Sequence, residues 1–321
     1  MDESLAVATT GLTKAFGKRR ALQDLDLEVP RGVVFGYLGP NGAGKTTTLK
    51  LLAGLYRPTS GRARIFGRDV TSDRDRVQRM IGYLPGDFTG YADQTGRQFL
   101  HLIASLRGGV DPAMVRRLAE RFDVDLGRRL GTLSHGNRQK IGIIQAFMNQ
   151  PPLLVLDEPT QGLDPLMQRE FLALLGEVRG RGQTVLLSSH VLSEVEAVAD
   201  RIAILKSGRL LTTLPMDELH AGARRSIDLT FEHDVPEAEL RHASGVRDVH
   251  VRDRTAHLTV TGSTADLVRV AAPYGVARIT THDTDLADTF LGFYENGSED
   301  PDAQRLSEGP VGSAPQPSLL G

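Results

Sequence analysis

The stretch that decides the fold reads Gly39-Pro40-Asn41-Gly42-Ala43-Gly44-Lys45-Thr46, and Thr47 follows it. It fits the pattern G-x-x-x-x-G-K-[ST], in which glycines let the backbone curl until several N–H groups point at phosphate oxygens. The lysine then places a charge on the β- and γ-phosphates, and the threonine hydroxyl can ligate Mg²⁺. The alternative is a glycine-rich turn with no ligand, and the flanking sequence distinguishes the two.

The flanks of this loop have the pattern that a phosphate site needs. A short, mostly apolar run at residues 33–38 leads into the loop, and a helical pattern at residues 44–55 follows it. A helix that begins at the end of the loop adds its positive N-terminal end to the site. Further apolar runs, separated by helical patterns, lie at residues 81–84, 153–156, 184–187 and 201–205. They predict an α/β fold with a largely parallel sheet covered on both faces.

Length, charge and composition narrow the class of protein. The 321 residues are about twice the usual single-domain length, which predicts two domains. The 38 Lys and Arg against 40 Asp and Glu leave a net charge of −2, which argues against a nucleic-acid partner. Cysteine is absent, so disulfides and thiolate chemistry are excluded. Neither a membrane-length apolar run nor a signal-peptide pattern is present, so we expect a cytoplasmic chain.

A second motif is acidic. The apolar run at residues 153–156 is followed directly by Asp157 and Glu158. At the carboxyl edge of a parallel sheet such groups face the ligand crevice. Asp157 is suited to holding Mg²⁺, and Glu158 to orienting the attacking water or accepting its proton. Alone, this pattern is typical of a strand and a turn. Beside Lys45 and Thr46 it predicts hydrolysis of a nucleotide.

Taken together, these residues resemble the ATP-binding cassette (ABC) family. The distinguishing segment, similar to the family's LSGGQ signature, is Leu133-Ser134-His135-Gly136-Asn137-Arg138-Gln139-Lys140. The resemblance implies a P-loop NTPase fold with a helical subdomain, and ATP and Mg²⁺ as ligands. It also implies a homodimer in which Ser134, His135 and Gly136 of one copy close over the ATP of the other. Ser134 is a natural N-cap, and a helix N-terminus attracts phosphate.

Three further positions match family motifs. Phe16 is similar to the aromatic residue that stacks on adenine, although a core phenylalanine is the alternative. Asp164 lies in a Gly-Leu-Asp segment that resembles the loop communicating across the dimer, with an ordinary turn as the alternative. His190 ends a predicted strand and resembles the switch histidine that contacts the γ-phosphate and helps to hold the attacking water. The resemblance therefore implies Glu158 and His190 as the catalytic pair, with Thr46 and Asp157 as metal ligands.

Two departures from the family pattern stand out. The family usually has a Gln after the Gly-Tyr-Leu-Pro stretch, where it touches Mg²⁺ and senses the permease, whereas Gly86 follows Pro85 here. Asp87 or water could complete the metal shell instead. In the signature, His135 and Asn137 replace Gly and Gln. The Ser and Gly that a phosphate contact most needs are kept, so we expect activity to survive.

The chain is predicted to divide into three parts. Residues 1–220 form the ATPase domain, with a helical insert at about 90–150 built from helices at 95–106, 112–122 and 134–149. A small α+β domain at 221–295 contains strands at 227–231, 246–251 and 257–260 and helices at 265–272 and 285–294. Residues 296–321, rich in Gly, Ser, Pro and acidic residues, form a disordered tail.

The resemblance implies an ATPase subunit of a transporter, working with a separate integral membrane permease that docks near residues 86–106. The C-terminal third resembles that of drug-resistance exporter cassettes, which implies export and a place at the inner face of the membrane. The alternative is a soluble ABC ATPase that remodels nucleic acid, ribosomes or a protein assembly; near-neutral charge and a single cassette count against it. A nucleotide sensor without turnover conflicts with Glu158 and His190. The cargo is not encoded in this chain.

Overall fold

The computed structural model describes residues 4–222 and 224–282. Its strands are β1 (Leu5–Phe16), β2 (Arg19–Leu25), β3 (Glu28–Pro30), β4 (Val34–Leu38), β5 (Ser60–Ile65), β6 (Arg68–Asp69), β7 (Ile81–Leu84), β8 (Leu153–Asp157), β9 (Thr184–Ser189), β10 (Arg201–Lys206), β11 (Arg209–Pro215), β12 (Arg224–Phe231), β13 (Val246–Arg252), β14 (Thr255–Thr261) and β15 (Val276–His282). Its α-helices are α1 (Lys45–Leu52), α2 (Arg74–Met80), α3 (Gly96–Leu106), α4 (Pro112–Arg121), α5 (His135–Phe147), α6 (Pro165–Gly180), α7 (Leu192–Glu196), α8 (Met216–Gly222), α9 (Glu237–His242) and α10 (Ala265–Ala271).

The central sheet is six-stranded, in the order β11-β10-β4-β9-β8-β7. The five strands from β10 to β7 pair in parallel, and β11 is antiparallel to β10. Every residue of β4 and of β8 is buried, as continuous apolar runs predict. The predicted parallel sheet is confirmed, and the carboxyl ends of β4, β8 and β9 meet at one edge.

Both faces of the central sheet are covered, as predicted. Alternate residues of β4 point to opposite sides: Val34 and Leu38 join a core with α5 and α6, whereas Phe35 and Tyr37 join a core with α1 and a second sheet. That second sheet is antiparallel, in the order β2-β1-β5-β6, with β3 also paired to β1. The apolar periodicity of the parallel strands gave no sign of it.

Leu25, Leu27 and Val29 alternate with acidic residues, a pattern that predicts a single half-buried strand. All three are buried between exposed acidic residues, but they belong to two strands, β2 and β3, so that prediction is wrong in its extent. At the break, the Thr9 hydroxyl donates to the Leu25 carbonyl and accepts from the Leu27 N–H, each at 2.8 Å. The Thr9 side chain therefore supplements the backbone bond that the Thr9 N–H donates to the Leu27 carbonyl at 2.9 Å.

The segment between β7 and β8 is helical. It contains α3, α4, a 3₁₀ turn at Leu130–Thr132 and α5, which match the three predicted helices to within about two residues. Each helix begins at a polar N-cap whose side chain accepts from the first turn: Thr95, Asp111 and Ser134. These caps fix where the helices start.

The C-terminal elements form a separate four-stranded antiparallel sheet, in the order β13-β14-β12-β15, with its own core around Leu229 and Leu258. Three of its strands and α10 were predicted, whereas β15 and the six-residue α9 were not. The predicted helix at 285–294 and the tail at 296–321 lie outside the described residues. The division of the chain into domains stays a prediction. Within residues 4–222 and 224–282, no helix combines the length and hydropathy needed to cross a bilayer.

Candidate functional site

A cleft of about 700 Å³ opens at the carboxyl ends of β4 and β8. Eighteen residues line it: Phe16, Arg19, Ala21, Pro40, Asn41, Gly42, Gly44, Lys45, Thr46, Thr47, Lys50, Pro85, Gly86, Asp87, Asp157, Glu158, Gln161 and His190. The structure thus brings together the loop, the acidic pair, the predicted aromatic residue and the histidine. Gly39 and Ala43 are buried within the loop itself.

The loop needs its glycines for conformation and for space. Gly44 has φ +112°, and a Cβ atom there would lie 2.7 Å from the Ala21 carbonyl oxygen. Gly44 also caps α1 without any side-chain hydrogen bond, and Gly42 has φ +80°. The first N–H groups of α1 therefore face the cleft with no side chain competing for them, which is the arrangement that binds phosphate.

Lys45 is held within the loop by three oxygens. Its Nζ donates to the Gly39 carbonyl at 2.6 Å and to the Pro40 carbonyl at 3.4 Å, and it lies 3.3 Å from Glu158 Oε1. Only 6% of the side chain is exposed. A buried ammonium fixed in this way is a preorganised charge for an anionic ligand.

A single hydroxyl orients the acidic pair. Asp157 is 1% exposed, and its Oδ1 accepts from Ser188 Oγ at 2.7 Å. The same Oγ accepts from the Glu158 N–H at 3.1 Å. Burial raises the pKa of the neighbouring Tyr83 phenol, and the charge of Asp157 raises that pKa further. Tyr83 therefore stays protonated beside this carboxylate.

Glu158 lies between the lysine and the histidine. Its Oε2 is 2.8 Å from His190 Nδ1, while its Oε1 faces Lys45. Its backbone has φ +46°, a left-handed conformation that costs a non-glycine residue about 1–3 kcal/mol. Such strain is typical of functional sites, where surrounding contacts hold a side chain in one direction.

Oxygen donors suited to Mg²⁺ are present in the cleft. The Thr46 hydroxyl and the Asp157 carboxylate both line it, and hard oxygen ligands are those that Mg²⁺ prefers. Among the described residues, no group of three or more His, Cys, Asp and Glu side chains could form a cation cage. Mg²⁺ is usually bound by one or two carboxylates together with phosphates of the substrate, and Asp157 supplies one such carboxylate.

Phe16 lines the cleft with 46% of its surface exposed. Its ring meets Tyr56 edge to face at 5.5 Å, and Lys14 Nζ lies 5.0 Å from its centroid. The alternative of a core phenylalanine is therefore wrong, because the ring is available to a ligand.

The signature residues do not line this cleft. Ser134 caps α5, and its Oγ accepts from the Asn137 N–H at 3.3 Å. Gly136 and His135 pack against Gly162. Asp164 caps α6, where its Oδ1 accepts from the N–H groups of Leu166 and Met167. These residues lie outside the cleft of their own chain.

Sequence reasoning missed several cleft residues. Arg19, Lys50 and Gln161 line the cleft, and Ser188 orients both acids. Lys50 follows Thr46 by one helical turn of α1, so helical spacing could have found it. The role of Ser188 follows from the pairing of β8 with β9, which no local pattern reveals.

A parallel sheet with a glycine-rich loop, a buried lysine and an acidic strand end defines a P-loop nucleoside triphosphatase. The sequence model of the family described as "ABC transporter" matches residues 22–161 of this chain. The bacitracin transport ATP-binding protein BcrA of Bacillus licheniformis is 32% identical over 310 residues, which cover 92% of this chain and 99% of that protein. The daunorubicin/doxorubicin resistance ATP-binding protein DrrA of Streptomyces peucetius is 39% identical over 235 residues, 71% of each chain.

A dimeric ATP-binding cassette in a post-hydrolysis state, bound to ADP and Pi, has the same fold, with a TM-score of 0.60. Its 24% identity covers 65% of this chain and 98% of that one. The chain belongs to the ABC transporter family. It is the ATP-binding subunit of such a transporter and an ATPase, as the signature and the phosphate loop predict.

Proposed function

We propose that this chain powers an exporter of antibiotic-like molecules. The observation that carries the ATP-driven part of the proposal is the Glu158 carboxylate, held 3.3 Å from the lysine of the phosphate loop and 2.8 Å from His190. The names of BcrA and DrrA, which refer to bacitracin transport and to daunorubicin and doxorubicin resistance, support the cargo class. The coverage of BcrA extends this support to the C-terminal third.

The loop and Phe16 bind the nucleotide. The Lys45 ammonium and the backbone N–H groups of the loop and of the α1 N-terminus bind its phosphates. The exposed ring of Phe16 stacks on the adenine. Thr46 and Asp157 would hold Mg²⁺, which would neutralise charge on the phosphates. Ser188 keeps Asp157 oriented for this task through its 2.7 Å hydrogen bond.

Glu158 and His190 carry out the hydrolysis. Glu158 orients a water molecule toward the γ-phosphorus and accepts its proton as the bond to the leaving ADP oxygen breaks. His190 fixes the carboxylate through Nδ1 and steadies the γ-phosphate. Lys45 stabilises the charge that spreads over the phosphate oxygens.

Two copies pair head to tail. In this arrangement Ser134, His135 and Gly136 of one chain contact the ATP bound by the other, and Asp164 communicates across the interface. The position of these residues outside their own cleft supports the pairing. ATP stabilises the closed pair and ADP does not, so each turnover opens it.

A second cleft, of about 750 Å³, supports a permease partner. It lies between the central sheet and the helical insert, and three exposed apolar side chains line it: Leu55, Tyr91 and Leu106. Pro85 lines both clefts, so a partner bound here touches the segment that reaches the nucleotide. The permease would hold this chain at the inner face of the membrane.

Affinity capture with Glu158→Gln tests the whole proposal. We expect the variant to lose turnover by about 100-fold or more, because it lacks a general base, and to accumulate as an ATP-bound dimer. The tagged variant is expressed in the organism that the chain comes from, and its membranes are solubilised in mild detergent with ATP and Mg²⁺. A stoichiometric multi-span membrane protein is the expected partner. Glu170→Gln, which alters an exposed carboxylate of α6, serves as the control and should retain turnover.

The outcomes separate the candidate functions. Wild-type turnover by Glu158→Gln would show that the assigned base is wrong. Capture of only ribosomes, nucleic acid or soluble proteins would favour the remodelling ATPase instead. Near-neutral net charge remains the observation against that second function.

A further inference from the structure

Gln139 is a buried amide that contacts the backbone beside the hydrolytic carboxylate. It lies in the second turn of α5 and is 1% exposed. Its Nε2 donates to the Pro159 carbonyl at 3.1 Å and to the Glu158 carbonyl at 3.4 Å. Because only the NH₂ end of an amide can donate to carbonyls, these two acceptors fix its orientation.

The other end of this amide has no hydrogen-bond partner in the described part of the chain. Gln139 Oε1 is buried and unpaired, which is unfavourable for an amide oxygen. An apolar side chain of similar size would avoid that cost. The two donated hydrogen bonds are therefore the physical reason for an amide at this position.

These bonds act on the strained residue of the site. The Glu158 N–H donates to Ser188 Oγ on β9, and its carbonyl accepts from Gln139 on α5. The left-handed backbone of Glu158, with φ +46°, is thus held from both sides. Since the backbone sets the direction of the side chain, this clamp aims the carboxylate at Lys45 and His190.

The same helix carries the signature residues at its first turn. His135 and Gly136 pack directly on Gly162, in the segment that follows Glu158. The N-terminal half of α5 and residues 158–162 therefore touch at both ends of that segment. A shift of α5 would move the Glu158 carbonyl with it.

We propose that Gln139 is a positioning residue that couples the N-terminal half of α5 to the hydrolytic carboxylate of its own chain. This inference rests on the proposed function, in which the signature of each copy contacts the ATP held by the other. Binding at the α5 N-terminus then orients Glu158 in the same chain. Each ATP in the dimer reports its presence to the opposite site, which makes hydrolysis cooperative.

Two variants and a control test the coupling. Gln139→Met removes both donors at similar size; we expect kcat to fall about tenfold, since a buried carbonyl loses its partner. The KM for ATP should stay within about twofold, because the phosphate loop is unchanged. The Hill coefficient for ATP should fall toward unity. Gln183→Met is the control: its Nε2 donates to the Pro151 carbonyl at the opposite end of β8, so its kcat and Hill coefficient should match wild type.

Gln139→Glu provides a readout that a merely structural role would not give. An ionised Glu cannot donate, whereas burial raises its pKa and a protonated carboxyl donates one hydrogen bond. We therefore expect the kcat of Gln139→Glu, relative to that of wild type at the same pH, to rise as the pH is lowered from about 8 to about 6. Gln139→Met should show no recovery.

The contrary results are distinct. A Gln139→Met protein with wild-type kcat and Hill coefficient overturns the coupling, as does a Glu variant whose pH profile follows that of the Met variant. If the Met variant loses kcat but its thermal midpoint falls well below that of Gln183→Met, the role is structural. A wild-type chain without ATP turnover would instead refute the proposed function.

Discussion

Two helix N-termini in this molecule have similar electrostatics and different surroundings. At α1 the cap is Gly44, which offers no side chain, and the first turn faces the cleft. At α5 the cap is Ser134, whose own hydroxyl accepts from the first turn, and it lies outside that cleft. Both ends can attract phosphate. The chain therefore builds one phosphate site by itself, and in the proposed dimer it offers a second helix end to the other copy.

The largest effect is expected at the α1 end. Lys45→Ala removes the cation that lies among the Gly39 carbonyl, the Pro40 carbonyl and Glu158, and we expect ATP turnover to fall by at least about 100-fold. Steady-state phosphate release measures it. Lys18→Ala, an exposed lysine outside the cleft lining, is the control and should be near wild type. Comparable turnover in the two variants would mean that phosphate binds elsewhere.

A smaller loss of turnover is expected at the α5 end. Ser134→Ala removes a group that, in the proposed dimer, touches the other copy's ATP, so we expect a loss of about 10- to 100-fold. It also removes a helix cap, which costs about 0.5–2 kcal/mol of stability. Thr95→Ala removes the cap of α3 in the same way, since Thr95 Oγ1 accepts from the Gln98 N–H. Equal thermal midpoints with unequal turnover would separate function from capping.

Mixing two impaired chains tests whether the α5 end acts on the opposite copy. A heterodimer of Lys45→Ala with Ser134→Ala has one doubly altered site and one site with an intact loop and an intact signature. We therefore expect partial recovery of turnover in the mixture, which neither chain shows alone. Absence of recovery, with heterodimers demonstrated by two affinity tags, would place Ser134 in its own chain's site and remove the distinction between the two helix ends.

The cleft that this chain forms around the phosphate loop was largely predictable from sequence. The loop, Asp157 and Glu158 are local patterns at the ends of buried strands, and the parallel sheet places them together. The antiparallel sheet was not predicted, because β1 contains Gly11 and several threonines and owes its structure to pairing with β2, β3 and β5. Similarly, Ser188 and Gln139 act through bonds to distant backbone or side chains that no local spacing reveals.

In the cleft around the phosphate loop, Phe16→Ala should change the binding of ATP more than the rate of its hydrolysis. Loss of a stacking ring costs about 1–2 kcal/mol, so the KM for ATP should rise about 5- to 30-fold with little change in kcat. Phe16→Tyr, which keeps the ring, is the control. An unchanged KM in the alanine variant would show that the exposed ring, though it lines the cleft, does not touch the base.

The smallest effect is expected where this chain departs from its family. A Cβ atom at Gly86 would lie 3.4 Å from the Asp157 carbonyl oxygen and 3.5 Å from its Oδ2, so a Cβ atom fits without moving the backbone. We expect Gly86→Gln to keep the thermal midpoint within about 2 °C. Its amide oxygen, beside Asp157, should lower the Mg²⁺ concentration for half-maximal turnover about two- to threefold. Gly86→Leu fills the same space without an oxygen donor. If both variants respond alike to Mg²⁺, the added side-chain volume, and not an added oxygen ligand, accounts for the change. The cleft around the phosphate loop would then need no side chain at position 86 to bind the metal.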